Sequence, residues 1–155
     1  MAQIAEGLKI GAWNVRTLKE TGRLWQVTSE MKRYDLSILG ISEIHWKGQG
    51  DLITDEIRMV YSGGERCERG VAILFDKKAS ERITEIEKIS DRLMMVKVSA
   101  EPVDIVLIQV YMPTTKYEDW DHHHHHQRFC VMFSMLARVR RFTKYCMPPP
   151  FSILS

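Results

Sequence analysis

The run DLSILGI at positions 35–41 is apolar almost without interruption and ends on Ser42 and Glu43. A strand with one wet face alternates apolar and polar residues, so this run predicts a strand covered on both faces. What precedes it fits. LKIGAWNV, positions 8–15, alternates apolar with small or polar residues and reads as an earlier strand, with Trp13 and Asn14 near its end. From Thr21 to Tyr34, Leu24, Val27, Met31 and Tyr34 recur at the spacing of one helix face. Strand, helix, strand predicts a βαβ unit with Glu43 just past the carboxyl end of its second strand, where open α/β sheets hold functional groups.

Downstream, EIRMVYS and RGVAILF flank the glycine-bearing GGERCE and read as a hairpin, and RLMMVKVS with VDIVLIQVY reads as a second pair across AEP. ERITEIEKIS, between the pairs, has isoleucines at every third position but a β-branched content that favours strand, and a strand is the expectation. The fold class is therefore α/β, mostly one mixed sheet with a covering helix. After Tyr117 the pattern changes: residues 118–155 hold five consecutive histidines, His122 to His126, three consecutive prolines, and no clean periodicity beyond a short helical stretch from Arg128 to Phe142. The expectation is a domain over 1–117 and an unrelated, poorly ordered tail over 118–155.

Composition narrows the function classes. In 155 residues no apolar run approaches the roughly 20 needed to cross a membrane as a helix, and the first ten residues lack the pattern of a secretory signal. An intracellular location, nuclear or cytoplasmic, with no membrane partner is expected. Cys67, Cys130 and Cys146 are odd in number and far apart, unlike a disulfide framework or a zinc knuckle. The net charge of +2 hides an asymmetry: no acidic residue follows Asp121, whereas five basic ones do. Without them the first 121 residues hold 17 basic against 20 acidic groups, so nucleic-acid contact requires a local patch.

Four residues stand where chemistry is possible. Glu43, at a strand end, suits Mg²⁺, which takes one or two protein carboxylates and keeps several waters. Asn14 ends the neighbouring strand of the same sheet. Tyr111 closes an apolar strand just before Pro113 and can donate to a phosphate oxygen; Arg92 opens a strand and can hold a phosphate with both arms of its guanidinium. Singly, each has a commoner reading: a solvated glutamate, a turn asparagine, a wet-edged core tyrosine, a surface arginine paired with Asp91 or Glu101.

Together, in order, WN, GISEIHWKG, ERGVAILF, DRLMMVKV and IVLIQVYMP resemble the apurinic-type endonuclease domain of non-long-terminal-repeat retrotransposons, a branch of the endonuclease/exonuclease/phosphatase superfamily. The resemblance covers about the first 117 residues. It implies the N-terminal part of a DNase I-like four-layer α/β sandwich, DNA as partner, and Mg²⁺, or Mn²⁺ in its place, as cofactor. It further implies that Glu43 is the direct metal ligand, that Asn14 belongs to the metal and phosphate site, that Tyr111 contacts the scissile phosphate, and that Arg92 is a substrate-binding residue. His45 matches a histidine common in this branch that is not the catalytic one. Ile44 and Thr114 depart from the usual Thr and Asn.

The family's GDxN motif, whose Asp prepares the water, and its terminal SDH are absent from the sequence. A metal site without a base or transition-state donors should fall to near-background hydrolysis, since each contributes roughly 10² to 10⁴ in rate. The resemblance implies a second sheet that these residues supply only in part; an uncovered apolar face, self-association through it and marginal stability are expected. Three functions compete: a retroelement-derived Mg²⁺-dependent DNA endonuclease, inactive alone; a non-catalytic remnant that binds nucleic acid or a protein; and a phosphatase of the same superfamily.

Overall fold

The computed structural model describes residues 8–101, 103–112 and 143–146. In chain order the elements are β1 (Lys9–Asn14), α1 (Arg23–Arg33), β2 (Ile38–Ser42), β3 (Gln49–Thr54), β4 (Ile57–Ser62), β5 (Val71–Phe75), α2 (Lys77–Ser80), β6 (Ile83–Ser90), β7 (Leu93–Val98), β8 (Ile105–Val110) and β9 (Thr143–Cys146). They form one mixed sheet in the order β3-β4-β5-β2-β1-β9 and a three-stranded antiparallel sheet, β6-β7-β8. The α/β class and the main mixed sheet agree with the sequence. A second sheet, which the resemblance implies these residues supply only in part, is formed by β6, β7 and β8 and packs against the first.

The βαβ unit stands as expected. β1 and β2 are parallel, with Asn14 opposite Ser42 at their shared carboxyl end, and α1 lies over one face of the sheet, packing Val27 and Met31 against Leu39, Ile41, Met59 and Leu74. Every residue of β2 is buried. Tyr34 is a correction: it follows the helix rather than extending its apolar face, stands 38% exposed, and lies beneath the Arg33 guanidinium at 5.5 Å from its ring centre.

The opposite face of the sheet packs on β7 and β8 through Ile10, Ile38, Val60, Ile73 and Phe75 against Met94, Val96, Ile105 and Leu107. β8 alternates: Ile105, Leu107 and Gln109 are buried, while Val106, Ile108 and Val110 are half-buried on the outer side. β6 is a strand, and its register with β7 slips between Ile83 and Glu85 and again between Lys88 and Ser90. Each slip inserts a residue, which turns a three-residue spacing into one face; Ile83 and Ile86 both pack on the inter-sheet core, while Ile89 is exposed. Of segment 118–155 only β9 is described; it extends β1 in parallel, Lys9 opposite Thr143 through Ala12 opposite Cys146. The stretch from Arg128 to Phe142 lies outside the described residues, as does the histidine run.

β3 was not foreseen as a strand. Its two-residue turn to β4, Asp55 and Glu56, has φ of 50° and 66°, the positive pair that closes a twisted hairpin. Across this hairpin Arg58 donates from Nε and Nη2 to both Asp51 oxygens at 2.9 and 2.6 Å. The bond holds the Asp51 carboxyl below its ordinary value of 3.8, burial acting in the opposite sense. Between the lowered folded value and 3.8 the unfolded chain binds more protons, so the pair's contribution is complete above 3.8 and is lost as pH falls through the folded value. Both side chains are partly exposed, which limits that contribution to about 1 kcal/mol or less. Melts of Arg58→Met should fall slightly below wild type at neutral pH and converge with it as the pH falls below 3.8 through the lowered folded value; a gap constant across that range would assign the effect to packing.

Candidate functional site

Strand alternation makes one end of the inter-sheet layer polar. Along β1 the positions facing the second sheet run from Leu8 and Ile10 to Asn14, along β2 from Ile38 to Ser42, along β4 from Val60 to Ser62, and along β8 from Ile105 and Leu107 to Gln109 and then Tyr111. All four strands run toward the same end, and β5 and β7 start from it, β7 directly after Arg92. Apolar residues fill the layer, and polar ones close it.

Backbone hydrogen bonds tie the terminating segments together. Val15 N–H donates to Ser42 O at 3.1 Å, Ile44 N–H to Gly70 O at 3.3 Å, Gly70 N–H to Asp91 O at 3.1 Å, and Tyr111 N–H to Arg92 O at 2.8 Å. Asn14, Glu43, Arg92 and Tyr111, widely separated in sequence, thus occupy linked segments at one end of the sandwich. Ser62 Oγ clamps the sheets there by donating to Ser90 O at 2.7 Å.

Glu43 is buried, 7% exposed, and its backbone has φ of 59°; His45 shares that value. Left-handed backbone disfavours residues with a Cβ, and strain of this kind clusters where a side chain is aimed for a purpose. Glu43 Oε1 has no hydrogen-bond partner among the described residues. A buried carboxylate oxygen left unpaired is expensive, so its position fits a cation with hard-oxygen preference. Three or more His, Cys, Asp or Glu side chains never gather into a metal-holding group among the described residues. A single buried carboxylate matches the one or two protein carboxylates that Mg²⁺ or Mn²⁺ takes while keeping several waters. Glu43 would hold the ion, with Asn14 beside it.

Asn14 also performs the turn role weighed for it: its Oδ1 accepts from Arg16 N–H at 3.0 Å. Tyr111 is 8% exposed and belongs to the inter-sheet core. Arg92 is half-buried, and its Nε is a buried donor without a partner among the described residues; Asp91, suggested as its surface partner, pairs with Arg69 at 3.7 Å instead. Burial lowers the His45 imidazole below its usual value; Glu43 opposes that shift, and Lys19 adds to it.

Sequence reasoning missed three residues here. Gln109 is wholly buried, and neither amide atom has a partner among the described residues; a polar residue at an inward-facing strand position was its only signal. Trp46 anchors the loop that carries Glu43, donating from Nε1 to Leu18 O at 3.2 Å and meeting Tyr61 edge to face at 5.1 Å. Gly63 lies so close to Trp46 that a Cβ there would fall 2.0 Å from the Trp46 carbonyl oxygen.

No family model matches the chain. Over 119 residues, 76% of this chain, it is similar to craniofacial development protein 2 of Bos taurus at 35% identity and to craniofacial development protein 2 of Tragulus javanicus at 34%. The homology takes in 20% and 21% of those proteins, so the chain spans about a fifth of the length of the curated relatives it matches.

Proposed function

We propose that the polar end of this sandwich is the metal- and phosphate-binding half of a DNA phosphodiester hydrolase of the apurinic-type endonuclease branch, the retroelement-derived fold that the sequence resembles. The observation that carries the reading is Glu43: a buried carboxylate oxygen without a partner among the described residues, on left-handed backbone, at the carboxyl end of a central strand. Asn14 and Tyr111 on linked segments support it, as does Arg92, whose cationic head suits a phosphate oxygen. The bound ion would neutralise phosphate charge and polarise the scissile group. Glu43 would hold that ion, Tyr111 and Arg92 would orient the phosphate, and the apolar layer behind them would exclude water.

The sequence holds neither GDxN nor SDH, so this reading assigns the chain binding and positioning without a group to prepare the attacking water. Nicking of supercoiled plasmid by the isolated chain in Mg²⁺ should be slow, near background, and whatever rate is observed should vanish in EDTA and in Glu43→Ala. Nicking that persists in EDTA would end the proposal. No helix among the described residues is long and apolar enough to cross a bilayer.

A further inference from the structure

Among the described residues, five buried side-chain polar atoms lack a partner, and four of them lie on three residues at the polar end: Glu43 Oε1, Arg92 Nε, and Gln109 Nε2 and Oε1. The fifth, Trp13 Nε1, belongs to a residue packed on the helix side of the main sheet. The four atoms are complementary. Two are donors, Arg92 Nε and Gln109 Nε2, and two are acceptors, Gln109 Oε1 and Glu43 Oε1.

Their places in the fold match this chemistry. Tyr111 N–H bonds Arg92 O, and the ladder continues inward through Leu93 opposite Val110 to Met94 opposite Gln109. Arg92, Tyr111 and Gln109 therefore share the inward face of β7 and β8, with Gln109 one step deeper than the other two. β8 lies against β2, the strand that delivers Glu43. Gln109 is fully buried and cannot meet a bulky substrate. A wholly unpaired buried amide carries its full desolvation cost, and such groups are normally satisfied by ordered water when no side chain reaches them.

We propose that Gln109 is a positioning residue for Glu43: through ordered water its Nε2 donates toward Glu43 Oε1 while its Oε1 accepts from Arg92 Nε. The amide thereby fixes the carboxylate that takes the divalent cation and couples it to the cation-bearing side chain that faces the phosphate. This rests on the metal reading of Glu43 above. Partners of this kind behind a metal ligand are worth roughly 10- to 100-fold in metal affinity.

The test is Mg²⁺ binding to the whole chain, measured by titration calorimetry and by the shift in melting temperature, for wild type, Glu43→Gln, Gln109→Met and Gln109→Leu. Met keeps the length of Gln without its polar atoms, and Leu supplies a second apolar replacement should Met pack poorly. Expected in the Gln109 variants is a Mg²⁺ dissociation constant raised about 10-fold or more, together with a lower metal-free melting temperature, because Glu43 Oε1 and Arg92 Nε lose the amide between them. Gln109 variants that bind Mg²⁺ as wild type does, while Glu43→Gln does not, would overturn the role of Gln109 and leave the metal reading standing. A wild-type chain that binds no Mg²⁺ would overturn both.

Discussion

The substitution Gly63→Ala should lower the melting temperature by about 10 °C, the largest loss expected from a single methyl group in this chain. The added Cβ would lie 2.0 Å from Trp46 O and 2.9 Å from Gly48 O, both backbone atoms with no rotamer to escape into. Those carbonyls belong to a rigid contact: Gly63 N–H donates to Gly48 O at 2.7 Å, Gly48 N–H donates to Gly64 O at 3.0 Å, and Lys47 bridges to Gly64. Relief requires the two loops to part, which breaks these bonds and withdraws Trp46 from Leu18 and Tyr61. A cost of about 3 kcal/mol follows from overpacking together with lost hydrogen bonds. Gly64→Ala is the internal control, because its Cβ meets only the Asp91 side chain, at 3.0 Å. Thermal melts of the two variants should therefore differ widely. Equal melting temperatures would mean that the loops yield freely, and that the Glu43 segment is not held in the way described.

The same loop shows what a sequence can and cannot convey. β2 was legible because its nearly continuous apolar run admits no wet face, and α1 because its periodicity is plain over three turns. Glu43 was legible because it follows that strand directly, and a strand end in such a sheet is a privileged place. β3 was not legible: its turn is Asp-Glu, which lacks the glycine that usually announces a positive-φ pair. The length of β6 needed its bulges, which no local residue preference specifies. The make-up of the second sheet was hidden for a different reason. β7 and β8 were recognised as strands, but which sheet a strand joins depends on long-range pairing, and the apolar surface of Met94, Val96 and Leu107 fits either arrangement. Gln109 was passed over because one polar residue in IVLIQVY reads as a wet position until the register places it inward.

Glu43→Gln should separate stability from binding more sharply than any other change at the site. Without metal, Glu43 Oε1 is buried and unpaired among the described residues, so a neutral amide of the same size costs less to bury. The variant should melt at or slightly above wild type, by up to about 1 kcal/mol of added stability. In Mg²⁺ the order should reverse. Wild type gains stability with ion concentration as RT ln(1 + [L]/Kd), whereas an amide oxygen is a far poorer ligand for a hard divalent cation, and the variant's curve should stay flat. At a hundredfold excess over the wild-type dissociation constant the difference reaches about 2.7 kcal/mol, several degrees in melting temperature. Nicking, near background in wild type, should fall to the limit of detection, since the group lost is the one that would hold the charge-neutralising ion. A variant less stable than wild type without metal, yet equally responsive to Mg²⁺, would reverse both arms: Glu43 would then be a structural carboxylate whose partner lies in the protein, and the polar end would have another purpose.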